Sequence, residues 1–307
     1  MNRPSASPEA QGIYGLRVRL LPPAAGSAAR NMAVDEAILR EVGRGQAPPT
    51  LRFYRWEPAA LSVGRFQAVR GQIRLDALAE ARLGLVRRPT GGRAVLHADE
   101  VTYAVALPEA AGLPASVTEA YRLLSAGLAE GLRLLGVRPE FLRPARPSRP
   151  VPGGQAGAGR PSARELSSLC FEAPSWYELG VAGRKLVGSA QLRRFGGLLQ
   201  HGSLPLRIDR ALVGRLVEGA AAPHRVLEAA TSLQEALGRP VAFEEVAAAL
   251  QEGVARALGW RLEPGALSPE EEALARRLEA EKYGTDRWTL DGLEPEGCEE
   301  AEAAHHG

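Results

Sequence analysis

The apolar positions of this chain follow two periods, one helical and one of strand type. Val117, Ala120, Leu124, Leu128, Leu132 and Leu135 recur three and four apart, which predicts a helix with one apolar stripe. Ser116 followed by Glu119 has the capping-box pattern that opens such a helix, and Gly136 supplies its stop. Phe243, Val246, Leu250, Val254 and Leu258 predict a second helix. A third is expected over 27–42, where Val34, Ile38 and Val42 lie four apart ahead of Gly43 and Gly45. Strict alternation at Val101, Tyr103, Val105 and Leu107 predicts a strand with one buried face. Shorter strand-like runs occupy 51–56 and 60–63, on either side of the turn signal Glu57-Pro58, and later 177–181, 185–187 and 198–206. Short strands mixed with a few helices predict an α/β (α+β) domain, a mixed sheet flanked by helices.

Three segments stand outside this pattern. Residues 1–14 and the acidic stretch 291–307 are expected to be disordered. Residues 143–164 are rich in Pro, Gly, Ala, Ser and Arg with no apolar period, and are expected to form a flexible insertion. What remains is a main domain over 15–265 carrying that insertion, followed by a helical segment over 266–290. At 307 residues, 45% hydrophobic, the chain is long enough to bury a sizeable core. Its net charge of +2 gives no electrostatic argument for nucleic acid or a membrane surface. With no signal-peptide pattern and no apolar run of membrane-spanning length, it is expected in the cytoplasm. The two cysteines, Cys170 and Cys298, offer neither a disulfide framework nor metal-ligand spacing, and suit a reducing compartment.

Candidate chemistry lies in three places. Arg87-Arg88-Pro89-Thr90-Gly91-Gly92-Arg93 leads to His97, and its paired glycines let backbone N–H groups approach a ligand or simply make a turn. Gly183 to Gln191 presents Lys185 at a strand start, ahead of Gly188 and Ser189. Lys185 and Lys282 are the only lysines among 38 basic residues. Lysine, unlike arginine, gives up a proton when desolvated, so its survival here suggests a chemical role. Cys170-Phe171-Glu172-Ala173-Pro174-Ser175-Trp176-Tyr177 holds either a packing cysteine or a thiolate nucleophile activated by a nearby cation.

Taken in order, these segments resemble the biotin/lipoate protein ligase catalytic family. Asn31 to Glu36 is similar to its opening helix, and Ser62 to Gln67 to its next strand and turn. Arg87 to His97 is similar to its lipoyl-binding signature, and Gln200-His201-Gly202-Ser203 to a late strand. Arg93 at the third position after the threonine, Cys170, and the Gly188-Ser189-Ala190-Gln191 form resemble the cysteine-dependent octanoyltransferase branch rather than the ATP-dependent ligases. The resemblance implies that Cys170 forms an acyl thioester and that Lys185 lowers its pKa and shuttles a proton. It implies octanoyl acyl carrier protein as donor and a lysine of a lipoyl domain or glycine-cleavage H protein as acceptor. No cofactor, metal or nucleotide is needed, because the donor thioester is already activated, and the chain is expected to act as a monomer. Substrate-binding candidates are Arg87, Gly91, Gly92, Arg93, His97, Gly188, Ser189 and His201, the histidines being alternatively hydrogen-bonded strand residues. Arg143, Arg146 and Arg149 in the insertion would steer an acidic carrier toward Cys170 or remain solvated. The competing functions are ATP-dependent lipoate–protein ligation, acyl exchange between two lipoyl proteins, and a non-catalytic binding subunit.

Overall fold

The computed structural model describes residues 13–142, 178–216 and 228–295. Its strands in chain order are β1 (Arg17–Leu20), β2 (Ala24–Gly26), β3 (Thr50–Trp56), β4 (Ala60–Val63), β5 (Gly84–Arg87), β6 (Val95–His97), β7 (Glu100–Pro108), β8 (Glu140–Phe141), β9 (Leu179–Val181), β10 (Arg184–Arg194), β11 (Gly197–Pro205) and β12 (Arg261–Pro264). The main sheet runs β12-β1-β3-β7-β11-β10-β9-β8, with β2 beside β3, and a small second sheet runs β5-β4-β6. β1 is parallel to both its neighbours, and from β3 to β8 the pairing is antiparallel. This is the mixed sheet flanked by helices that the sequence predicts.

The first helix is capped by Ser27, whose extended backbone lets its side chain accept the N–H of Arg30. In the resulting α1 (Ala28–Gly43) every residue from Asn31 to Val42 is buried, polar ones included. A helix buried all round must find partners for its polar groups on both sides. Toward the sheet, Asp35 accepts from Tyr54 Oη at 2.9 Å and pairs with Arg52 at 3.2 Å. On the other side Glu36 takes Arg40 at 2.5 Å, Lys282 Nζ at 3.0 Å and the Tyr283 hydroxyl. Burial alone would raise the Glu36 carboxyl, but Lys282 and Arg40 outweigh it and hold it below its ordinary value.

After α2 (Leu75–Glu80), the helix expected from Ser116 is α3 (Val117–Leu134), with Ser116 accepting the Glu119 N–H. Short helices α4 (Arg210–Leu216) and α5 (Leu233–Leu237) precede α6 (Phe243–Leu258), the second predicted helix. α3 and α6 pack on each other through Gly127, Gly131 and Gly253; a Cβ on Gly253 would stand 2.0 Å from the Gly131 nitrogen. Together they cover the face of the sheet that carries Leu51, Phe53, Tyr103 and Val105. α1 covers the other face. Hence β7, expected to bury one side only, is buried on both, with Ala104 and Ala106 meeting α1.

The segment beyond residue 265 is part of the same core. A complete capping box between Ser268 and Glu271 starts α7 (Pro269–Leu278), which continues as a π-helical turn, Glu279–Tyr283, and is followed by α8 (Asp286–Thr289). Leu274, Ala275, Leu278, Tyr283 and Trp288 pack with α1. Both ends are tied down further than expected. Ile13 is buried in the core, and Glu294 of the acidic stretch pairs with Lys282 at 3.0 Å. Among the described residues no helix is long and apolar enough to cross a membrane. The insertion at 143–164, with Arg143, Arg146 and Arg149, lies outside the described residues, as do Trp176, Tyr177 and Cys298.

Candidate active site

A pocket of about 280 Å³ opens on the α1 face of the main sheet, against the small sheet. That volume lies near the lower end of small-molecule sites. Its floor is a row of directly opposed residues on successive strands, with Gly188 of β10 facing Ser203 of β11, Ser203 facing Thr102 of β7, and Thr102 facing Tyr54 of β3. Met32, Trp56 and Val95 add apolar wall. Gly92 and Arg93 border it from the turn after β5, and Glu178, Ser189 and His201 complete the polar side. The turn comes this close because Gly64 has no side chain: a Cβ there would lie 1.9 Å from the Gly92 carbonyl oxygen. Gly92 itself sits at φ +98°, a conformation that favours glycine.

Lys185 lies behind two of the lining residues, Glu178 and Gly188. β10 has an irregularity between Lys185 and Val187, and the Lys185 backbone bonds instead to Ala229 and Thr231, at 2.7 and 2.8 Å. The side chain turns inward, 2% exposed, and Nζ donates to Glu178 Oε1 at 2.7 Å. A Cβ on Gly188 would stand 3.3 Å from Lys185 Cε and 3.5 Å from Nζ, so the ammonium end comes up against the pocket wall. Cys170, its expected partner, lies outside the described residues. Lys282 is equally buried and serves Glu36 and Glu294, with the Trp288 ring 4.1 Å from its Nζ. Both lysines therefore occupy tight cavities that admit a compact ammonium more readily than a planar guanidinium. Their survival marks burial in each case, and only Lys185 is tied to residues that line the pocket, through Glu178 and against Gly188.

Two carboxylate–histidine–hydroxyl relays hold the polar wall. In the first, His201 Nδ1–H donates to Asp35 at 2.9 Å and Nε2 accepts the Thr90 hydroxyl at 2.7 Å. Burial lowers the His201 pKa, with Asp35 opposing part of that shift, so the ring is neutral. In the second, His97 Nδ1 donates to Glu100 at 2.7 Å while Nε2 meets Ser62 Oγ at 2.6 Å. Glu100 also accepts the Thr102 and Ser203 hydroxyls. The two relays grip the 88–93 turn from both sides. Thr90 belongs to it directly, and Ser62 accepts from Arg88, whose other nitrogen donates to the Gly91 and Arg93 carbonyls at 3.1 and 2.9 Å. Both histidines line the pocket, and every ring nitrogen already has a protein partner, the hydrogen-bonded strand alternative. Behind the floor, the Tyr103 hydroxyl donates to Ser189 Oγ at 2.7 Å, and burial pushes the Tyr103 pKa up to about 12.

The remaining candidates divide. Gly92, Arg93, Gly188 and Ser189 line the pocket. Gly91 and Arg87 are not among the lining residues. Arg87 points the other way, where its guanidinium donates to the carbonyls of Gly64, Arg65, Gln67, Trp288 and Leu290, a fork binding the turn after β4 to the end of α8 and the residues just beyond it. Sequence reasoning missed Met32, Tyr54, Trp56, Thr102 and Glu178. A carboxylate directly before an apolar strand, as Glu178 stands before Leu179, was the one signal available for the last. Among the described residues no three His, Cys, Asp or Glu side chains converge as metal ligands would.

The lipoyl protein ligase A/B catalytic domain model matches residues 27–255. Octanoyltransferase LipM of Kyrpidia tusciae is 47% identical over 277 residues, covering 88% of this chain and 97% of the relative. The octanoyltransferase LipM of Symbiobacterium thermophilum is 47% identical over 266 residues, 85% and 93% of the two chains. Among solved structures, lipoate-protein ligase A bound with ATP superposes with a TM-score of 0.72 at 24% identity, over 91% of this chain and 100% of that one. A bipartite lipoate protein ligase from Thermoplasma acidophilum gives 0.71 at 22% identity, over 92% and 99%. At that identity the two ligases establish the shared fold, and together with the family match they identify this chain as a member of the lipoyl protein ligase A/B catalytic domain family.

Proposed function

We propose that this chain is an octanoyltransferase of lipoate biosynthesis, an acyltransferase acting on protein substrates through a cysteine thioester. The observation that carries the proposal is its 47% identity, over nearly their full length, to proteins named octanoyltransferase. The pocket supports it: a trough of mixed lining whose histidines, Thr102 and Ser203 are hydrogen-bonded within the protein, with a buried lysine held by Glu178 beside it.

The donor is octanoyl acyl carrier protein, and the acceptor is a lysine of a lipoyl domain or of the glycine-cleavage H protein. The Cys170 thiolate, favoured in this reading by the Lys185 ammonium, attacks the thioester carbonyl carbon. The bond from that carbon to the carrier sulfur breaks, and the carrier leaves as a thiol by taking its proton from the Lys185 ammonium, which becomes a neutral amine. The acceptor amine then attacks the same carbon, the bond to Sγ breaks, and an amide remains. The amine loses one proton, and Lys185, held by Glu178, relays it. Backbone N–H groups of the turn at Gly92 or of Gly188 and Ser189 are the candidates for holding the oxyanion.

Transfer from octanoyl acyl carrier protein to a lipoyl domain, in buffer without nucleotide or magnesium, tests the proposal. Amide formation by the wild type and its loss in Cys170→Ala are expected. Modification only from free octanoate, ATP and magnesium would move the chain to the ligase activity.

A further inference from the structure

We infer that Met32 sets the length of acyl chain this pocket accepts, by closing the far end of a channel that starts at Gly188, against which Lys185 packs. The inference rests on the transferase proposal for the identity of the ligand, and deepens it. The floor row Gly188, Ser203, Thr102 and Tyr54 crosses four adjacent strands. Three interstrand steps of about 4.8 Å make that row roughly 14 Å long. The reacting end is fixed at Gly188, where Lys185 arrives. The closed end is therefore at β3.

What closes it is α1. Asn31 Nδ2 donates to the Arg55 carbonyl at 2.9 Å and to the Gly26 carbonyl at 3.1 Å, which anchors the start of α1 over the end of β3. Met32, 1% exposed, lines the pocket there beside Tyr54 and Trp56. The two aromatics cannot readily yield. Tyr54 is pinned by its hydroxyl to Asp35, and Trp56 donates to Thr102 at 2.8 Å while stacking on His97 with 4.0 Å between ring centroids. Met32 is apolar, unbranched and flexible, so it is the wall member whose size decides the available length.

The length agrees with a medium chain. A polypeptide advances at most about 3.6 Å over three bonds, or roughly 1.2 Å per bond in an extended chain. Deducting about 4 Å for van der Waals contact at the closed end leaves roughly 10 Å of the row, room for about eight carbons. The polar floor does not oppose an apolar guest, because Ser203 and Thr102 both donate to Glu100.

The test is the chain-length profile of kcat/KM for hexanoyl, octanoyl, decanoyl and dodecanoyl carrier thioesters, in the wild type, Met32→Ala and Met32→Phe. Truncation to alanine removes three heavy atoms. The decanoyl-to-octanoyl ratio should rise by roughly tenfold, the worth of burying two further methylenes. Phenylalanine should move the optimum down to hexanoyl. Thermal stabilisation of the same proteins by the free acids of each length gives a second profile that needs no catalysis, and it should move in the same directions. Should Met32→Ala not fold, Met32→Val carries the lengthening arm. Unchanged profiles in a wild type and variants that all transfer octanoyl overturn the inference and leave the transferase proposal standing. If the wild type transfers none of the thioesters, that proposal fails, and the binding profile alone decides: a shifted profile supports Met32 as the stop, an unshifted one overturns it.

Discussion

Replacing Gly188 by alanine should separate the chemistry of the pocket from the stability of the fold. A methyl group there stands 3.3 Å from Lys185 Cε and 3.5 Å from Nζ, and meets no other non-neighbouring atom within 4 Å. Gly188 is not at positive φ, so alanine fits the backbone. Removing a glycine from a strand interior is itself worth about 0.5–1 kcal/mol, which offsets the mild crowding. The net change in folding free energy is therefore expected to stay within about 1 kcal/mol. The strain falls on the flexible end of Lys185, which must move by a few tenths of an ångström. A misplacement of about 1 Å can cost about 100-fold in rate, so kcat should fall roughly threefold to tenfold. Gly202, on the neighbouring strand, is the contrast. A Cβ there would stand 2.6 Å from Ser189 Oγ and 2.7 Å from the Gly188 carbonyl oxygen and Tyr103 Cε1. The strands would have to part, at a cost of about 1–3 kcal/mol or more. Urea unfolding at constant m, run beside transfer kinetics, distinguishes the two. A Gly188→Ala enzyme with wild-type kcat, or one that loses more than about 2 kcal/mol of stability, would refute the position of Lys185 as the source of the effect.

Three further outcomes follow from the buried networks. Asp35→Ala strands Arg52 and removes the acceptor of Tyr54 and His201, so unfolding free energy should drop by about 3–5 kcal/mol; a loss below about 1 kcal/mol contradicts the network. His201 resists protonation in the folded state while the unfolded chain takes a proton below about pH 6.5, so acidification below that point should cost up to about 1.4 kcal/mol per pH unit. Above it this residue adds no slope, and His201→Gln should flatten the acid limb; an identical limb in the variant refutes the assignment. Lys282→Met should lower Tm yet retain kcat where the protein is folded, whereas Lys185→Met should abolish transfer; equal loss of kcat in both contradicts the distinction drawn between the two lysines.

The elements readable in the sequence are those whose period reports core packing. α3 and α6 each turn one apolar stripe to the sheet, and β3 and β4 carry dense apolar runs, so spacing alone located them. Strand β10 runs on to Arg194, well past the Val187 at which the apolar pattern ends, for the opposite reason. Gly188, Ser189 and Ala190 face a cavity, and small or polar residues at cavity positions leave no periodic signal. Helix α1 was located, but its full burial was not, because Glu36 and Lys282 are partners 246 positions apart. The same holds for Arg87, whose carbonyl acceptors at 288 and 290 come from α8 and the turn after it. In the candidate site, glycine-rich spacing and a rare lysine point to the turn after β5 and to strand β10, both of which contribute to the pocket lining. Met32, Trp56 and Glu178 become visible only when register and helix packing bring them to one cavity.

The most direct measurement of the transfer proposal is the intact mass of the protein after brief incubation with octanoyl acyl carrier protein and no acceptor. One octanoyl group should be found on the wild-type chain, it should disappear when a lipoyl domain is added, and it should never form on Cys170→Ala. A wild type that transfers octanoyl while its own mass stays unchanged, or a Cys170→Ala chain that still acquires the group, would contradict it.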